Sequence, residues 1–442
     1  MDLMNTIGEY RSLFSNRMYR ILFSGRIVTL IGDNLYIVAA MWLVYELTGS
    51  TFFTGLAAFL GRVPTTLSFL VGPIVDSRNP RLILTVTQLV QMAVVLLVPI
   101  VVVVGQLDIA VVLVVMFLVS LTDQFSGPAM DAALPRIVGS EQLVKANSMF
   151  TFTRRGMEAG SKAAAGILIG VLGAVAIFLV NAFTFLLGAL IFTLLRVPDP
   201  NRRETTSDGG AETLRTKLRN YLDNLYEGTA IIGHSAVLYI VLGTGIANFL
   251  NGLSIAVLPA YADSISGTAD VAGLIGGAST YGILYAGVGL GLFLGAALAS
   301  EFERYSFGLA TVGLFVWTAA AWIGAVALGS VFPTAVLFTI AWIPIGIYNI
   351  LSISLLQQGV PDRLLGRVMA TSASVSSLLT SVGILLGGAA GELVLTSTVM
   401  MLAGAGFFVV GLYWAAAPTA RGIPSIDETD AGVFDLDSRD TP

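Results

Sequence analysis

Residues 82–104 read LILTVTQLVQMAVVLLVPIVVVV, a run that contains no charged residue. At 1.5 Å per residue, a helix of this length crosses the hydrocarbon core of a bilayer, which is about 30 Å thick. About twelve apolar blocks of this kind follow one another along the 442 residues. The sequence therefore predicts an all-α polytopic membrane protein, because a β-barrel would show short segments of alternating polarity instead.

The composition excludes a soluble protein of this size. Hydrophobic residues make up 55% of the chain and charged residues only 12%, and the mean hydropathy is +0.84. About a quarter of the residues in soluble domains are charged, which gives them far more polar side chains for their surface. The chain has no cysteine and one histidine, His234, which excludes disulfides, thiolate chemistry and multi-histidine metal centres. We expect no metal site, no cofactor and no nucleic-acid partner.

A polar stretch of about forty residues divides the predicted spans into six and six. We place the spans near residues 20–46, 52–75, 82–104, 109–130, 148–171, 174–195, 236–262, 272–299, 307–328, 334–357, 369–391 and 397–416. The predicted parts are a cytoplasmic segment (1–19), a six-helix bundle (20–196), a linker with an amphipathic helix (197–235), a second bundle (236–417) and an acidic, disordered cytoplasmic tail (418–442). Paired bundles place a substrate path along their interface, near the bilayer midplane.

Lysine and arginine residues predict the orientation of the chain. If the N-terminus is cytoplasmic, the outer connections contain neither residue type, whereas the inner connections contain many. Arg78, Arg136 and Arg304 are examples on the inner side, and the linker between the bundles carries several more. By the positive-inside rule, we expect a multi-pass protein of the cell membrane with both termini in the cytoplasm.

Charged residues inside the predicted spans are the candidate functional site. A charge at the bilayer centre costs several kcal/mol, so each one calls for a structural or functional reason. The candidates for a proton or substrate pathway are Asp33, Arg62, Asp123, Arg154, Arg155, Glu158 and Lys162. A desolvated carboxylate at mid-depth is suited to carry a proton. The alternative is a salt-bridge network that only holds helices together, with Asp33 paired to Arg62.

The turn after the second predicted span reads GPIVDSRNPR, at residues 72–81. It resembles the motif between helices 2 and 3 of the major facilitator superfamily, which has a glycine, three residues, an aspartate and then basic residues. The resemblance implies a gate made of Gly72, Asp76, Arg78 and Arg81. In that gate, Asp76 caps a helix N-terminus at the interface between the bundles. Ser77 stands where the family often has arginine, and Asn79-Pro80 replaces its usual glycine.

Further segments are similar to the macrolide-efflux and siderophore-exporter-like permeases of that superfamily. They are Gly32-Asp33, WLVYELTGS at 42–50, Leu134-Pro135, Ala146-Asn147-Ser148, Glu227-Gly228, Val360-Pro361 and Gly366-Arg367-Val368. The resemblance covers residues 20 to about 416 and implies twelve helices in two pseudo-symmetric bundles. The chain departs from the family at Asp123-Gln124, where proton antiporters have an arginine, and at Gly160-Ser161, where exporters often have Gly-Pro.

These observations predict a secondary active transporter that works by alternating access. No G-x-x-x-x-G-K-[S/T] run occurs, so we expect transport to use an ion or substrate gradient. The first candidate function is export of small amphipathic compounds by proton antiport, carried out by a monomer in the lipid bilayer. The second is uptake or exchange of an anionic metabolite, with Arg62 and Lys162 as anion ligands. The remaining alternatives are a channel, a receptor and a polytopic membrane enzyme, for which we find no catalytic motif.

Overall fold

The computed structural model describes residues 12–65, 71, 75, 78–105, 107–197, 229, 232–233, 235–267, 276–430 and 433–434. Within these ranges every regular element is a helix. Ten helical segments in this part of the chain are long and apolar enough to cross a membrane. The prediction of an all-α polytopic protein is therefore confirmed. His234 and most of the predicted amphipathic helix of the linker lie outside the described residues.

The helices of the first half begin with a long α1 that contains Asp33. In chain order they are α1 (Arg17–Thr48), α2 (Thr51–Leu60), α3 (Pro80–Val95), α4 (Leu97–Val104), α5 (Ile109–Asp123), α6 (Ser126–Val138), α7 (Ser140–Leu172) and α8 (Ala174–Thr193). The pair α3 and α4 forms one span, and so does the pair α5 and α6. The helix α7 covers the fifth predicted span, and its several charged residues keep its hydropathy low.

The helices of the second half follow the hydropathy pattern closely. They are α9 (Val237–Ser266), α10 (Gly277–Leu298), α11 (Phe307–Leu328), α12 (Val331–Gly359), α13 (Asp362–Leu393), α14 (Thr396–Ala416) and the short α15 (Pro418–Arg421). Each of the six long helices corresponds to one predicted span, and α11 has the predicted bounds. Uninterrupted apolar composition decides these bounds, because polar turns separate the helices.

The helices pack into two compact units. Unit 1 consists of Met1–Thr48 and Leu60–Gly210, and unit 2 consists of Gly49–Phe59 and Ala211–Pro442. In unit 1, α1 packs on α7 and α8, and α8 also packs on α3. In unit 2, α9 packs on α13 and α14, while α12 packs on α10 and α11. Unit 2 includes the start of the second predicted span.

The start of the second predicted span packs with unit 2, although the sequence suggests that it belongs with the first bundle. One carboxylate oxygen of Glu392 on α13 accepts hydrogen bonds from three groups. They are Ser50 Oγ (2.7 Å), Thr51 Oγ1 (3.2 Å) and the backbone N–H of Phe52 (3.0 Å). Glu392 therefore caps the N-terminus of α2, where a negative charge is favourable.

Close backbone approach holds α2 in the same place. Thr51 Oγ1 donates a hydrogen bond to the carbonyl oxygen of Gly388 (2.9 Å), and Thr54 Oγ1 donates one to the carbonyl oxygen of Ala256 (2.6 Å). A Cβ atom added to Gly388 would lie only 2.8 Å from the carbonyl oxygen of Thr51. The absence of a side chain at this glycine lets α2 and α13 approach each other closely.

The helix α2 ends at Leu60, whereas the second predicted span runs from 52 to 75. Pro64 explains the early end, because proline lacks an N–H and its ring clashes with the carbonyl of the preceding helical turn. Residues 63–65 form a short 3-10 turn instead. As a result, Arg62 lies in a turn with an exposed side chain and not inside a helix.

The first part of the tail is ordered, which corrects the prediction of a disordered segment at 418–442. Ile423 and Ile426 are only 3% and 5% exposed. Ser306 Oγ donates a hydrogen bond to the carbonyl oxygen of Ile423 (2.9 Å), and the backbone N–H of Ile426 donates one to Glu303 (3.1 Å). Burial of these apolar side chains attaches the tail to the connection between α10 and α11.

Candidate functional site

Two cavities lie along α1 inside unit 1. The first has a volume of about 170 Å³. Its polar lining comes from three helices and consists of Asp33, Tyr36, Gln91, Ser120 and Asp123. The structure thus brings together two of the carboxylates that the sequence singles out, from helices α1 and α5. We refer to this space as the carboxylate cavity.

Local sequence positions both carboxylates. Asp33 follows Gly32, where an added Cβ atom would collide with the side chains of Asn181 and Thr184 on α8. The glycine therefore lets α8 approach α1 closely. Asp123 is the last residue of α5, where the chain breaks before α6 begins. The predicted span (109–130) runs through this break, and so does the apolar helical segment Ile109–Val138. Asp123 therefore lies within the span in the structure as well as in the prediction.

Hydrogen bonds tie the lining of the carboxylate cavity together. Ser120 Oγ donates to the carbonyl oxygen of Gly61 (2.6 Å), which connects α5 to the turn after α2. Gln91 Nε2 donates to the carbonyl oxygen of Val119 (3.4 Å), which connects α3 to α5. Tyr36 packs its ring edge-on against Phe178 of α8. These contacts hold the polar side chains of three helices in one place.

A second cavity of about 190 Å³ lies beside the first part of α1. Arg26, Asp131, Asn147 and Arg154 form its polar lining. Arg154 is one of the predicted site residues, whereas Arg26 and Asp131 are not among them. Arg26 precedes Asp33 by seven residues, so both lie on one face of α1. We refer to this space as the arginine cavity.

Arg26 connects the two cavities electrostatically. Its guanidinium group acts on the carboxylate of Asp33 and on that of Asp131. Asp33 also interacts with the carboxylate of Asp123 across the carboxylate cavity. Arg26 lies on the same face of α1 as Asp33, while the side chain of Arg62 is exposed in the turn after α2. The sequence does contain a signal for Arg26: it lies in the same predicted span as Asp33, seven residues earlier.

The remaining candidates of the fifth predicted span lie on α7, which packs on α1. Their side chains fall outside the described part of the structure, so their roles stay predictions: Arg155, Glu158 and Lys162. Only Arg154 of this group has a described side chain, and it lines the arginine cavity. The single helix α7 does place all four residues on the element next to α1.

The predicted gate is only partly visible. Two of its four residues lie outside the described ranges, namely Gly72 and Asp76. Arg78 and Arg81 are exposed at the start of α3. The side chain of Asn79 accepts a hydrogen bond from the backbone N–H of Arg81 (2.9 Å), and Pro80 occupies the first helical position. The departure from the superfamily motif at Asn79-Pro80 therefore supplies the N-cap and first residue of α3.

Comparison with known families covers nearly the whole chain. The model of a family described as transmembrane secretion effector matches residues 10–431. The chain belongs to this family of the major facilitator superfamily. Macrolide efflux protein A of Streptococcus pyogenes is 24% identical to this transporter over 369 residues, which are 83% of this chain and 87% of that protein.

Solved structures show the same fold at low sequence identity. A bacterial homologue of the human lysosomal transporter Spinster aligns with a TM-score of 0.66 and 13% identity, over 92% of this chain and 97% of that one. A bacterial homologue of the iron transporter ferroportin aligns with a TM-score of 0.64 and 17% identity, over 91% and 99%. This transporter therefore has the major facilitator fold, and the predicted superfamily and fold are confirmed. Its family is one of integral membrane transporters of small molecules.

Proposed function

We propose that this transporter exports small amphipathic compounds and is driven by proton antiport. The observation that carries the proposal is the presence of Asp33 and Asp123 in one cavity. Two neighbouring carboxylates repel each other, and a proton held between them offsets that repulsion. Such a pair can take up a proton on one side of the membrane and release it on the other as the transporter changes conformation.

The size of the carboxylate cavity supports a role in coupling. Its volume is about 170 Å³, whereas pockets for drug-sized ligands span about 300–1,000 Å³. We therefore assign this cavity to the coupling ion and not to the substrate. Similarity to Macrolide efflux protein A supports export as the direction of transport.

A second candidate function is exchange or uptake of an anionic metabolite. Arg26 and Arg154 both line the arginine cavity, and two guanidinium groups can bind a carboxylate or phosphate group. Arg62 and Lys162 would be further anion ligands in this alternative. Asp131 in the same cavity opposes it, because a carboxylate repels an anionic ligand.

Transport into proteoliposomes tests the proposal. With an acidic lumen, we expect a labelled macrolide to accumulate inside, because each substrate molecule enters in exchange for outgoing protons. A protonophore that collapses the gradient should reduce accumulation to the level of protein-free liposomes. Accumulation that persists with the protonophore would rule out proton coupling. Accumulation of a labelled dicarboxylate, and not of the macrolide, would favour the anionic alternative.

We further propose that the transporter is a monomer of the cell membrane with both termini in the cytoplasm. The distribution of lysine and arginine supports this orientation. In the same orientation, the segment with Asp76, Arg78 and Arg81 faces the cytoplasm. We propose that it gates the substrate path there, on the basis of its resemblance to the superfamily motif.

Thiol labelling in intact cells tests the orientation. The chain has no native cysteine, so a single introduced cysteine reports its own side of the membrane. We expect Ser207→Cys, in the linker, to resist a membrane-impermeant maleimide until the cells are opened. Ser330→Cys, in a predicted outer connection, is the matched control and should react in intact cells. The reverse pattern would show that the predicted orientation is wrong.

A further inference from the structure

Three helices of unit 1 line the arginine cavity, each with one face. The helix α6 contributes residues spaced by three, four and seven positions, namely Gly127, Met130, Asp131 and Leu134. The helix α7 contributes the same spacing with Asn147, Phe150, Thr151 and Arg154, and α1 contributes Arg26 and Leu30. Residues at these spacings share one side of a helix. The described lining is therefore built from regular helix faces and not from a loop.

One part of this lining is apolar and well packed. Leu30 and Leu134 are only 8% and 4% exposed. Phe150 packs its ring against the rings of Tyr19 and Phe23, at centroid distances of 5.8 and 5.3 Å. Both aromatic partners and Leu134 belong to one buried hydrophobic cluster. Side chains packed in this way present a fixed apolar surface, which suits the hydrocarbon part of a ligand.

The other part of the lining carries charges of both signs on different helices. The guanidinium groups belong to Arg26 of α1 and Arg154 of α7, whereas the carboxylate belongs to Asp131 of α6. Arg26 acts on Asp131 through space, and no hydrogen bond joins these two side chains among the contacts of the described residues. Charged groups interact most strongly when a partner of opposite charge reaches them directly. A ligand that carries both charges can contact the acid and the arginines at once.

The described charges discriminate between three classes of ligand. An anionic ligand would be repelled by Asp131, and a cationic ligand would be repelled by two guanidinium groups. A zwitterionic ligand avoids both repulsions, because its carboxylate can lie at the arginines and its ammonium group at the aspartate. The amide of Asn147 in the same lining can donate or accept a hydrogen bond at either end. The lining therefore favours a zwitterion over an ion of one sign.

We infer that the arginine cavity binds a zwitterionic group of the exported compound, with the carboxylate at Arg26 and Arg154 and the ammonium group at Asp131. The inference rests on the proposed export of amphipathic compounds, and it adds the chemical class of their polar end. The cavity volume of about 190 Å³ is below the range of about 300–1,000 Å³ for drug-sized ligands. The cavity therefore holds the charged end of such a compound and the apolar atoms next to it, and not the whole molecule.

Three small probes that share a phenyl ring test the inference on the purified transporter. Phenylalanine carries a carboxylate and an ammonium group at about pH 7, phenylpropionate carries only the carboxylate, and phenylethylamine carries only the ammonium group. Binding in detergent micelles is followed as the rise of the melting temperature (Tm) with probe concentration, because a ligand of the folded state stabilises it. We expect phenylalanine to bind about tenfold more tightly than either of the others, since each of them lacks one charged contact.

Variants that remove one charge assign the two ends of the probe. Asp131→Asn should weaken phenylalanine binding about tenfold, whereas phenylpropionate should bind at least as tightly as before, because a repulsion is removed. Arg26→Gln should weaken binding of phenylalanine and phenylpropionate but not of phenylethylamine. Glu141→Gln removes an exposed carboxylate from the first turn of α7, outside the lining of the cavity, and should bind all three probes as the unchanged transporter does. If a variant does not give a folded protein by size-exclusion chromatography, the ranking of the probes on the unchanged transporter decides.

Two results would overturn the inference. One is a phenylalanine affinity for the unchanged transporter that is absent, or no higher than that of the two singly charged probes. The other is undiminished phenylalanine binding in folded Asp131→Asn. Either result leaves proton-driven export untouched as a proposal, because the binding experiment involves no transport. Conversely, phenylalanine binding with the expected ranking, but without pH-driven accumulation of substrate in proteoliposomes, would contradict the proposed function alone.

Discussion

Export driven by a pH gradient is expected to be lost in Asp33→Asn, whereas substrate exchange at equal pH should continue. Asparagine keeps the size of the side chain but cannot bind and release a proton as a carboxylate does. The carboxylate cavity can then no longer couple proton movement to substrate transport. In proteoliposomes, the initial rate with an imposed gradient should fall to that of protein-free liposomes. Glu158→Gln should reduce the same rate less completely, if Glu158 contributes to the pathway from α7.

A purely structural role of Asp33 predicts a different outcome. Arg26 acts on Asp33 as well as on Asp131, so removing the carboxylate of Asp33 alone would leave the guanidinium group with one fewer compensating charge and lower Tm. The double variant Asp33→Asn/Arg26→Gln would then restore both stability and pH-driven transport. Asp33→Asn/Arg62→Gln is the matched control, because the side chain of Arg62 is exposed. Restoration by Arg26→Gln would end the assignment of Asp33 to coupling.

Gly388→Val is expected to destabilise the transporter strongly. Its Cβ atom would lie 2.8 Å from the carbonyl oxygen of Thr51 and 3.2 Å from the Cα atom of Gly55. Overpacking of this kind costs about 1–3 kcal/mol. The hydrogen bond from Thr51 Oγ1 to Gly388, now 2.9 Å long, would also be lost, which adds about 1 kcal/mol. We expect a clearly lower Tm in detergent and a smaller yield of folded protein.

Gly313→Val provides the control for this prediction. Gly313 lies on the exposed face of α11, and a Cβ atom there would meet nothing within 4 Å. Both variants place the same β-branched residue within a long helix, so differences in helix propensity cancel. Equal melting temperatures for Gly388→Val and Gly313→Val would show that α2 does not depend on close contact with α13.

Most of the helices could be predicted because apolar length alone decides them. The helix α11 has the bounds that hydropathy predicts, and the other long helices of the second half differ from the predicted spans by up to seven residues at one end. The early end of α2 was also readable, since Pro64 stands inside the predicted span. The ordered structure of the tail is harder to predict from the sequence. Ile423 and Ile426 are its apolar anchors, but two isoleucines do not outweigh the many acidic residues around them, which favour disorder.

The candidate site was predictable only in its individual residues. Charge in a membrane span identifies Asp33 and Asp123 separately, but a single sequence contains no information on which helices are neighbours. A pairing of Asp33 with Arg62 depends on tertiary packing, whereas Arg26 lies seven residues before Asp33 on the same helix. Arg26 was overlooked because an arginine near the cytoplasmic end of a span looks like an ordinary orientation signal.

The position of Gly49–Phe59 has a consequence for how the chain is made. This segment leaves the ribosome early, but Glu392, the residue that caps it, follows Ser50 by 342 positions. Unit 2 cannot be complete until α13 has been synthesised, so the early segment must wait in the membrane without its final neighbours. A recombinant second half that starts at Ala211 would lack this piece permanently. Biogenesis of the transporter therefore cannot proceed as the successive completion of two independent halves.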